Sequence, residues 1–125
     1  MRTLTKAEEQ IMHKLWDMKK AHVKDIIKVL PGPRPAYNTV STIIRILEKK
    51  GFVGHLAHGK TYEYYPLITK KAYRKSFFSN FFQNYFSNSY LSFTSFFAKS
   101  QNLSLKELEE MQKIIEEEIK KKNNL

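Results

Sequence analysis

Apolar residues recur every three or four positions in three stretches of the first half of the chain, a spacing that places them on one face of a helix. The three stripes are Ala7, Ile11, Met12, Leu15 and Trp16; Val23, Ile26, Ile27 and Leu30; and Val40, Ile43, Ile44 and Leu47. Thr5 and Glu8 have the spacing of a capping box, which predicts that the first helix starts at Thr5. We therefore expect three helices that each bury one face.

Proline residues separate the second helix from the third. Residues 31–35 include three prolines and a glycine, and proline cannot donate a hydrogen bond inside a helix. The second helix, within residues 21–30, should therefore be short, and the third should begin near Tyr37 or Asn38.

The period of the pattern changes after Gly51. Residues 52–67 read as two short strands around a turn at His58 and Gly59, and Pro66 should end the second strand. Three helices followed directly by a hairpin have the order of a winged helix-turn-helix.

The C-terminal half contains an aromatic segment. Residues 76–98 carry no charge and include ten Phe or Tyr residues at helical spacing, with a break expected near residues 87–89. Nearly half of the segment is Ser, Asn, Gln or Thr, which is too polar for a membrane span. Ser104 and Glu107 repeat the capping-box spacing, so a last amphipathic helix should run from about Leu105 into the terminal lysines.

These C-terminal helices carry more apolar surface than a chain of this size readily buries, which implies a partner. A twofold homodimer is the most economical partner because one patch serves both subunits. An aromatic ligand pocket is the alternative, but the segment supplies no convergent charges to orient a ligand. The residues expected at the dimer interface are Phe78, Phe82, Phe86, Tyr90, Phe93, Phe97, Leu108, Met111 and Ile115.

The predicted fold class is mainly α with a small β-hairpin. An N-terminal winged helix-turn-helix DNA-binding domain, residues 1–69, precedes a C-terminal helical dimerisation region, residues 70–125. The charge follows this division, because Lys and Arg outnumber Asp and Glu by 16 to 6 from Met1 to Lys75 and equal them in the rest. The whole net charge of +10 thus lies in the N-terminal part, which points to a polyanion such as nucleic acid or an anionic membrane.

The polar face of the third helix indicates which polyanion is bound. Its side chains include no carboxylate and can donate hydrogen bonds to phosphates and base edges, as expected of a recognition helix. The predicted DNA-binding residues are Tyr37, Asn38, Thr39, Ser41, Thr42, Arg45, Lys49, Lys50, His58 and Lys60.

Each of these residues has an expected role. Arg45 suits a bidentate contact to guanine, the three hydroxyl residues should face the major groove beside it, and the three lysines should contact phosphates. Tyr37 and Asn38 lie at the helix N-terminus, where backbone N–H groups favour a phosphate. His58, with His55 beside it, is expected near the tip of the wing, and Glu48 is expected to point toward the protein's own basic residues.

Four segments of the sequence together resemble a known protein family. The sequences LTKAEEQIMHKLW, VKDIIKVL, YNTVSTIIRILEKKGFV and YEYYPL occur in order, and together they are similar to the winged helix of the penicillinase repressor (BlaI/MecI) family. The resemblance covers roughly residues 4–69 and continues more weakly through FFAKS and LKELEEMQKIIEE. It implies a bacterial transcriptional repressor whose homodimer occupies an inverted-repeat, double-stranded DNA operator.

The resemblance also implies a route of regulation. Many members are inactivated by proteolysis in the C-terminal region when a membrane metallopeptidase sensor is triggered. Where the family pattern reads Asn-Phe-Ala-Lys, this chain has Phe96, Phe97, Ala98 and Lys99, so the implied scissile bond joins Phe96 to Phe97. Copper-responsive relatives carry C-terminal cysteine ligands, and this chain has no cysteine.

Other classes of function find less support. A winged-helix protein-interaction module without sequence-specific DNA binding is the alternative, and the basic charge of the segment from Met1 to Lys75 argues against it. No nucleophile motif, carboxylate pair or phosphate-binding glycine loop suggests an enzyme, and no cofactor is expected. His55, His58 and Glu63 on one hairpin are a weak signal for a metal. The absence of cysteine and of an apolar N-terminal run fits a cytoplasmic protein with no membrane insertion.

Overall fold

The computed structural model describes residues 3–124, which form six α-helices and one two-stranded antiparallel sheet. The elements are α1 (Lys6–Met18), α2 (Val23–Val29), α3 (Tyr37–Lys49), β1 (Val53–His58), β2 (Thr61–Pro66), α4 (Lys70–Phe86), α5 (Tyr90–Ser100) and α6 (Leu105–Asn123). Their order confirms the predicted fold class. The outer ends of the two predicted domains, residues 1, 2 and 125, lie outside the described residues. Within the described part, no helix is both long and apolar enough to cross a bilayer.

The start of α1 follows from its capping box. The hydroxyl of Thr5 accepts a hydrogen bond from the Glu8 N–H at 3.2 Å, and the Glu8 carboxylate accepts one from the Thr5 N–H at 2.8 Å. These two bonds satisfy backbone donors that a helix leaves free in its first turn. The predicted start at Thr5 is therefore confirmed.

The buried face of α1 differs slightly from the predicted stripe. Ile11, Met12 and Leu15 are buried as predicted, but Ala7 is exposed and the neighbouring Glu8 is buried in its place. Both positions precede Ile11 by a helical spacing, so periodicity does not distinguish them. Burial of Glu8 depends on a partner from another helix, described below.

The core of the winged helix lies between α1, α2 and α3. Ile26, Ile44 and Leu47 are completely buried there, and Phe52 joins them from the segment before β1. The third helix begins at Tyr37 as predicted, after the proline-rich segment. Its apolar stripe therefore serves as the inner face that the pattern indicated.

The wing is a tight hairpin. Its strands pair from Val53 opposite Pro66 to His58 opposite Thr61, which leaves Gly59 and Lys60 as a two-residue turn. Gly59 has φ +63°, a conformation that favours glycine and that tight hairpin turns require. The turn thus lies one residue beyond the predicted one, and the predicted end of the second strand at Pro66 is confirmed.

Two long-range contacts complete the first unit. Trp16 donates its Nε1–H to the Ile68 carbonyl at 2.8 Å, and the buried Tyr73 hydroxyl accepts a hydrogen bond from the Leu4 N–H at 3.1 Å. Because Tyr73 lies in α4, the first compact unit includes the start of this helix and extends to Ser79. The sequence-based boundary was placed earlier, after residue 69.

The second unit begins at Asn80 and contains the rest of α4 with α5 and α6. The break expected near residues 87–89 is present, since Ser87 and Asn88 have positive φ angles of 49° and 61° and Ser89 caps α5. The capping box predicted for the last helix, formed by Ser104 and Glu107, is also present.

Phe82 differs from the other predicted interface residues, because it is buried within its own chain. Only 5% of it is exposed, and its ring centroid lies 4.8 Å from that of Tyr90 and 5.9 Å from that of Phe93. In contrast, Ile115 on α6 is 53% exposed. Phe82 therefore presents little surface to a second subunit, because helical spacing alone does not separate intramolecular from intermolecular packing.

Among the other expected interface residues, exposure varies. Phe78, Tyr90, Leu108 and Ile115 are exposed, and Phe86, Phe93, Phe97 and Met111 are partly buried.

Candidate nucleic-acid interface

The outer face of α3 presents the polar side chains singled out in the sequence. The exposed residues of this face are Tyr37, Asn38, Thr39, Thr42, Arg45 and Lys49. No side chain caps the N-terminus of the helix at Ala36, so its first backbone N–H groups are not satisfied in that way. Free N–H groups at a helix N-terminus favour an anion.

A polar cleft of about 240 Å³ lies where α3, the start of α2 and the wing meet. Tyr37, Ser41 and Arg45 of α3 line it together with Lys60 and Thr61 of the hairpin. Two permanent cations and several hydroxyl groups are thus brought together from segments that are distant in the sequence. Such a combination can bind an anionic oxygen by charge and by hydrogen bonds.

Ser41 occupies the wall of this cleft and not the open face of α3. It is only 8% exposed, whereas Thr42 beside it is exposed. The expectation that both side chains face a DNA groove therefore describes Thr42 better than Ser41. The reason is the helical rotation of about 100° per residue, which turns Ser41 toward α2 and the wing.

Tyr64 forms the floor of the same region. Burial raises the pKa of its phenol, the negative charge of Glu48 raises it further, and the positive charge of Arg45 opposes the rise. Tyr64 is therefore a neutral phenol at physiological pH. The charges of Glu48 and Arg45 are therefore close enough to the Tyr64 phenol to influence it, and Arg45 lines the same cleft as Tyr64 and Lys60 of the wing.

Lys50 is not available as a free cation. Its ammonium lies 2.8 Å from both carboxylate oxygens of Glu8, and the side chain of Glu8 is only 5% exposed. Burial alone would raise the pKa of Glu8, but the hydrogen bonds from Lys50 and Thr5 outweigh burial and hold that pKa below its ordinary value. The expected phosphate contact of Lys50 is thus replaced by an ion pair between α1 and the C-terminus of α3. Lys49, the preceding residue, is exposed.

The histidines of the wing have protein partners. His55 lies in the middle of β1, opposite Tyr64, and its Nδ1 is hydrogen-bonded to the Glu48 carboxylate. Its ring also stacks on that of Tyr62, with a centroid distance of 4.2 Å. His55 is therefore not at the wing tip, contrary to expectation, and Glu48 does point to a basic residue of its own chain.

His58 and Lys60 are the predicted residues that do lie near the tip. His58 ends β1 and its Nε2 is 3.3 Å from Oε1 of Glu63, while Lys60 is exposed in the turn. Within residues 3–124, no three His, Cys, Asp or Glu side chains are grouped so that they could hold a metal ion.

Two residues at the start of α2 were missed by sequence reasoning. His22 lies beside the wing, with its Nδ1 3.0 Å from the Tyr62 carbonyl and its ring centroid 6.0 Å from that of His58. Lys24 is exposed and borders the same surface, together with Tyr37. No local signal marks them, because the contacts that bring them there span about forty positions of the sequence.

Three helices followed by a two-stranded wing, with a donor-rich face on the third helix, define a winged helix-turn-helix protein. Comparison with known sequences then identifies the family. Residues 4–117 match the penicillinase repressor family, and the chain belongs to it.

Individual relatives agree with this assignment. The chain is 27% identical over 113 residues to the methicillin resistance regulatory protein MecI of Mammaliicoccus sciuri, which covers 90% of this chain and 92% of that protein. It is 26% identical over the same length to MecI of Staphylococcus aureus strain N315. Among solved structures, the DNA-binding domain of the repressor BlaI matches 58% of this chain and 94% of its own chain, with a TM-score of 0.50 and 26% identity.

Proposed function

We propose that this chain is a cytoplasmic transcriptional repressor that binds an inverted-repeat DNA operator as a homodimer. The observation that carries the proposal is the arrangement around α3, whose exposed face has no carboxylate and meets Lys60 of the wing at the polar cleft. Membership of a repressor family and the likeness to the DNA-binding domain of BlaI support the same function. The basic charge of the segment from Met1 to Lys75 supplies the attraction to phosphates.

In this proposal α3 enters the major groove. Arg45 donates two hydrogen bonds to a guanine, and Thr39 and Thr42 contact bases or phosphates beside it. Lys49 and Lys60 neutralise phosphates on either side of the groove, and the N-terminus of α3 receives a further phosphate. Lys50 takes no part, because its charge is used within the protein.

The second unit supplies the contact between two subunits. All side chains of α6 are at least partly exposed, and Leu108, Ile115 and Ile119 form an apolar stripe on it that is 37% to 53% exposed. A second copy of the same stripe covers this surface most economically. Two recognition helices in such a dimer would contact half-sites spaced by about one turn of DNA, on the order of 34 Å.

Relief of repression by proteolysis is part of the proposal. The bond between Phe96 and Phe97 lies inside α5, and Phe96 is 56% exposed. Cleavage there would divide the second unit and separate α6 from the winged helix. A membrane metallopeptidase sensor is the proposed source of the signal, and co-expression with such a sensor, followed by mass measurement of the fragments, tests this step.

Substitution of Arg45 tests the DNA-binding function. A selection from random duplexes first supplies the preferred sequence, and affinities are then measured on this sequence and on an unselected duplex of equal length. Arg45→Ala should cost about 1 to 3 kcal/mol on the selected sequence and much less on the other. Arg45→Lys is the matched control for charge, and it should recover little because lysine lacks the planar fork.

Two outcomes would contradict the proposal. An equal loss on both duplexes would assign Arg45 to the phosphate backbone and remove it from base recognition. An affinity that does not fall as salt rises would exclude counterion release, and with it DNA as the partner, in favour of a protein-interaction module.

A further inference from the structure

A second concave site lies away from the recognition helix, between α1 and the first turns of α4. It has a volume of about 190 Å³, and we call it the aromatic pocket. The rings of His13, Trp16, Tyr73 and Phe77 form its walls, and the side chains of Lys70 and Arg74 complete the lining. All of these residues belong to the first compact unit.

The walls are held in place by contacts within the protein. The ring centroids of Trp16 and Tyr73 are 5.9 Å apart, and those of His13 and Trp16 are 5.4 Å apart. Trp16 and Tyr73 are each fixed further by a hydrogen bond to the backbone, described above. Phe77 is 47% exposed and leaves apolar surface open to water. The pocket is therefore preformed, and a ligand can bury aromatic surface in it with little ordering of the protein.

The volume limits what the pocket can hold. A dry cavity of about 150 Å³ is large enough for benzene, whereas pockets for drug-sized ligands begin at about 300 Å³. A space of about 190 Å³ between aromatic walls thus fits one six-membered ring and a short substituent.

The charges around the pocket favour an anion. Lys70 and Arg74 are four residues apart on α4, both are exposed, and among the described residues neither has a carboxylate within 4.0 Å. Glu9, the one acid in the lining, already contacts the Tyr73 hydroxyl at 3.5 Å and Nε2 of His13 at 3.8 Å. The two unpaired cations are therefore the groups available to a ligand.

We propose that the aromatic pocket binds a small aromatic carboxylate. Its ring lies among Trp16, Tyr73 and Phe77, and its carboxylate faces Lys70 and Arg74. This ligand would contact α1 and α4 without touching α3 or the wing, so its binding is separate from the proposed contact with DNA. The winged helix would thus carry a small-molecule site in addition to its proposed DNA-binding surface.

Fluorescence offers a direct test, because Trp16 is the only tryptophan in the chain. Phenylacetate is titrated into the full-length protein, with benzyl alcohol as the neutral analogue and benzylamine as the charge-reversed one. We expect a saturable change in emission with phenylacetate, an affinity at least about tenfold weaker for benzyl alcohol, and no saturation with benzylamine. Equal responses to all three would show that charge plays no part and would overturn the proposal.

Variants on α4 locate the ligand. Lys70→Gln combined with Arg74→Gln should weaken phenylacetate binding by about tenfold, whereas Lys71→Gln, an exposed neighbour outside the lining, should leave it unchanged. Phe77→Ala removes one wall and should also weaken binding. Retained affinity in both the double variant and Phe77→Ala would overturn the proposal by placing the ligand elsewhere near Trp16. Lys70, Arg74 and Phe77 are all exposed, so their substitution should not unfold the protein. Circular dichroism of each variant checks that it is folded.

Discussion

Lys50→Met tests whether Lys50 acts in folding or in DNA binding. The ammonium of Lys50 is 2.8 Å from both oxygens of the Glu8 carboxylate, and the two side chains join the C-terminus of α3 to the start of α1. Methionine keeps an unbranched, largely apolar chain of similar length and removes the ammonium, with both its charge and its hydrogen bond to Glu8. The variant therefore leaves the Glu8 carboxylate buried without its counter-ion.

The expected cost follows from the burial of the pair. Breaking a fully buried ion pair costs about 3 to 5 kcal/mol because the remaining charge is uncompensated. The side chain of Lys50 is still 19% exposed, and Glu8 keeps its hydrogen bond from the Thr5 N–H. We therefore expect a loss of about 2 to 3 kcal/mol in the free energy of unfolding near neutral pH.

The loss should depend on pH in a defined direction. In the native protein the pKa of Glu8 is lowered, since hydrogen bonds from Lys50 and Thr5 outweigh the opposing effect of burial. A lowered pKa contributes stability above the ordinary pKa of the carboxyl group, and this contribution disappears as pH falls through the native pKa. Without Lys50, burial dominates and favours the neutral acid. The difference between variant and native protein should thus be largest near pH 7 and should shrink toward about pH 4.

Urea unfolding at equal protein concentration measures both effects. A loss of about 2 to 3 kcal/mol corresponds to a midpoint lowered by roughly 1 M or more. Lys49→Met is the matched control, because Lys49 is the exposed neighbour on the same helix. It should leave the midpoint nearly unchanged and should instead reduce the dependence of DNA affinity on salt. Glu8→Gln added to Lys50→Met should recover part of the stability, because no buried charge then remains.

The reverse pattern would refute this reasoning. If Lys50→Met left stability intact and reduced the salt dependence of DNA binding, the ammonium would be a phosphate contact and the ion pair would carry no stability. A loss of stability that is the same in mild acid and at neutral pH would show that the charge of Glu8 is not its cause.

Three further results are expected from the packing. Trp16→Phe removes the hydrogen bond to the Ile68 carbonyl and part of a ring that packs on the core, and it should cost at least about 1 kcal/mol in urea unfolding. An unchanged midpoint would show that neither contact stabilises the fold. Ile115→Asp should yield folded monomers in sedimentation, since the exposed stripe of α6 is the proposed interface; persistent dimers would place the interface elsewhere. Phe82→Asp should instead lower the helical circular dichroism, because it buries a charge among Tyr90 and Phe93, and a fully helical variant would contradict that packing.

Local chemistry explains the parts of the fold that were predicted correctly. The capping boxes at Thr5 and Ser104 define helix starts by bonds that span three residues, and the prolines of residues 31–35 separate α2 from α3. Such signals act within one or two turns of the chain, so they can be recognised without knowledge of distant residues. The apolar stripe of α3 is a local signal of the same kind, because its helical period alone predicts which face of the helix is buried.

The candidate site was predicted less completely. Lys50 and His55 were assigned to the DNA-facing surface by residue type and spacing, yet each pairs with a carboxylate of its own chain, and Ser41 lies in the wall of the polar cleft and not on the open face of α3. Residue type indicates what a side chain can bind, but only the neighbouring elements decide whether another group has already bound it. For the same reason His22 and Lys24 could not be recognised as members of this surface.

The sequence by itself determined the order of elements, the inner face of α3 and the confinement of the net charge to the segment from Met1 to Lys75. These properties depend on local spacing and composition. The tertiary structure decided which of two adjacent lysines remains free, because the partner of Lys50 is 42 residues away in α1. It likewise decided that Phe82 packs against its own chain while Ile115 stays exposed. Contacts between distant residues, and not the identities of the residues alone, therefore select the surfaces available to a partner.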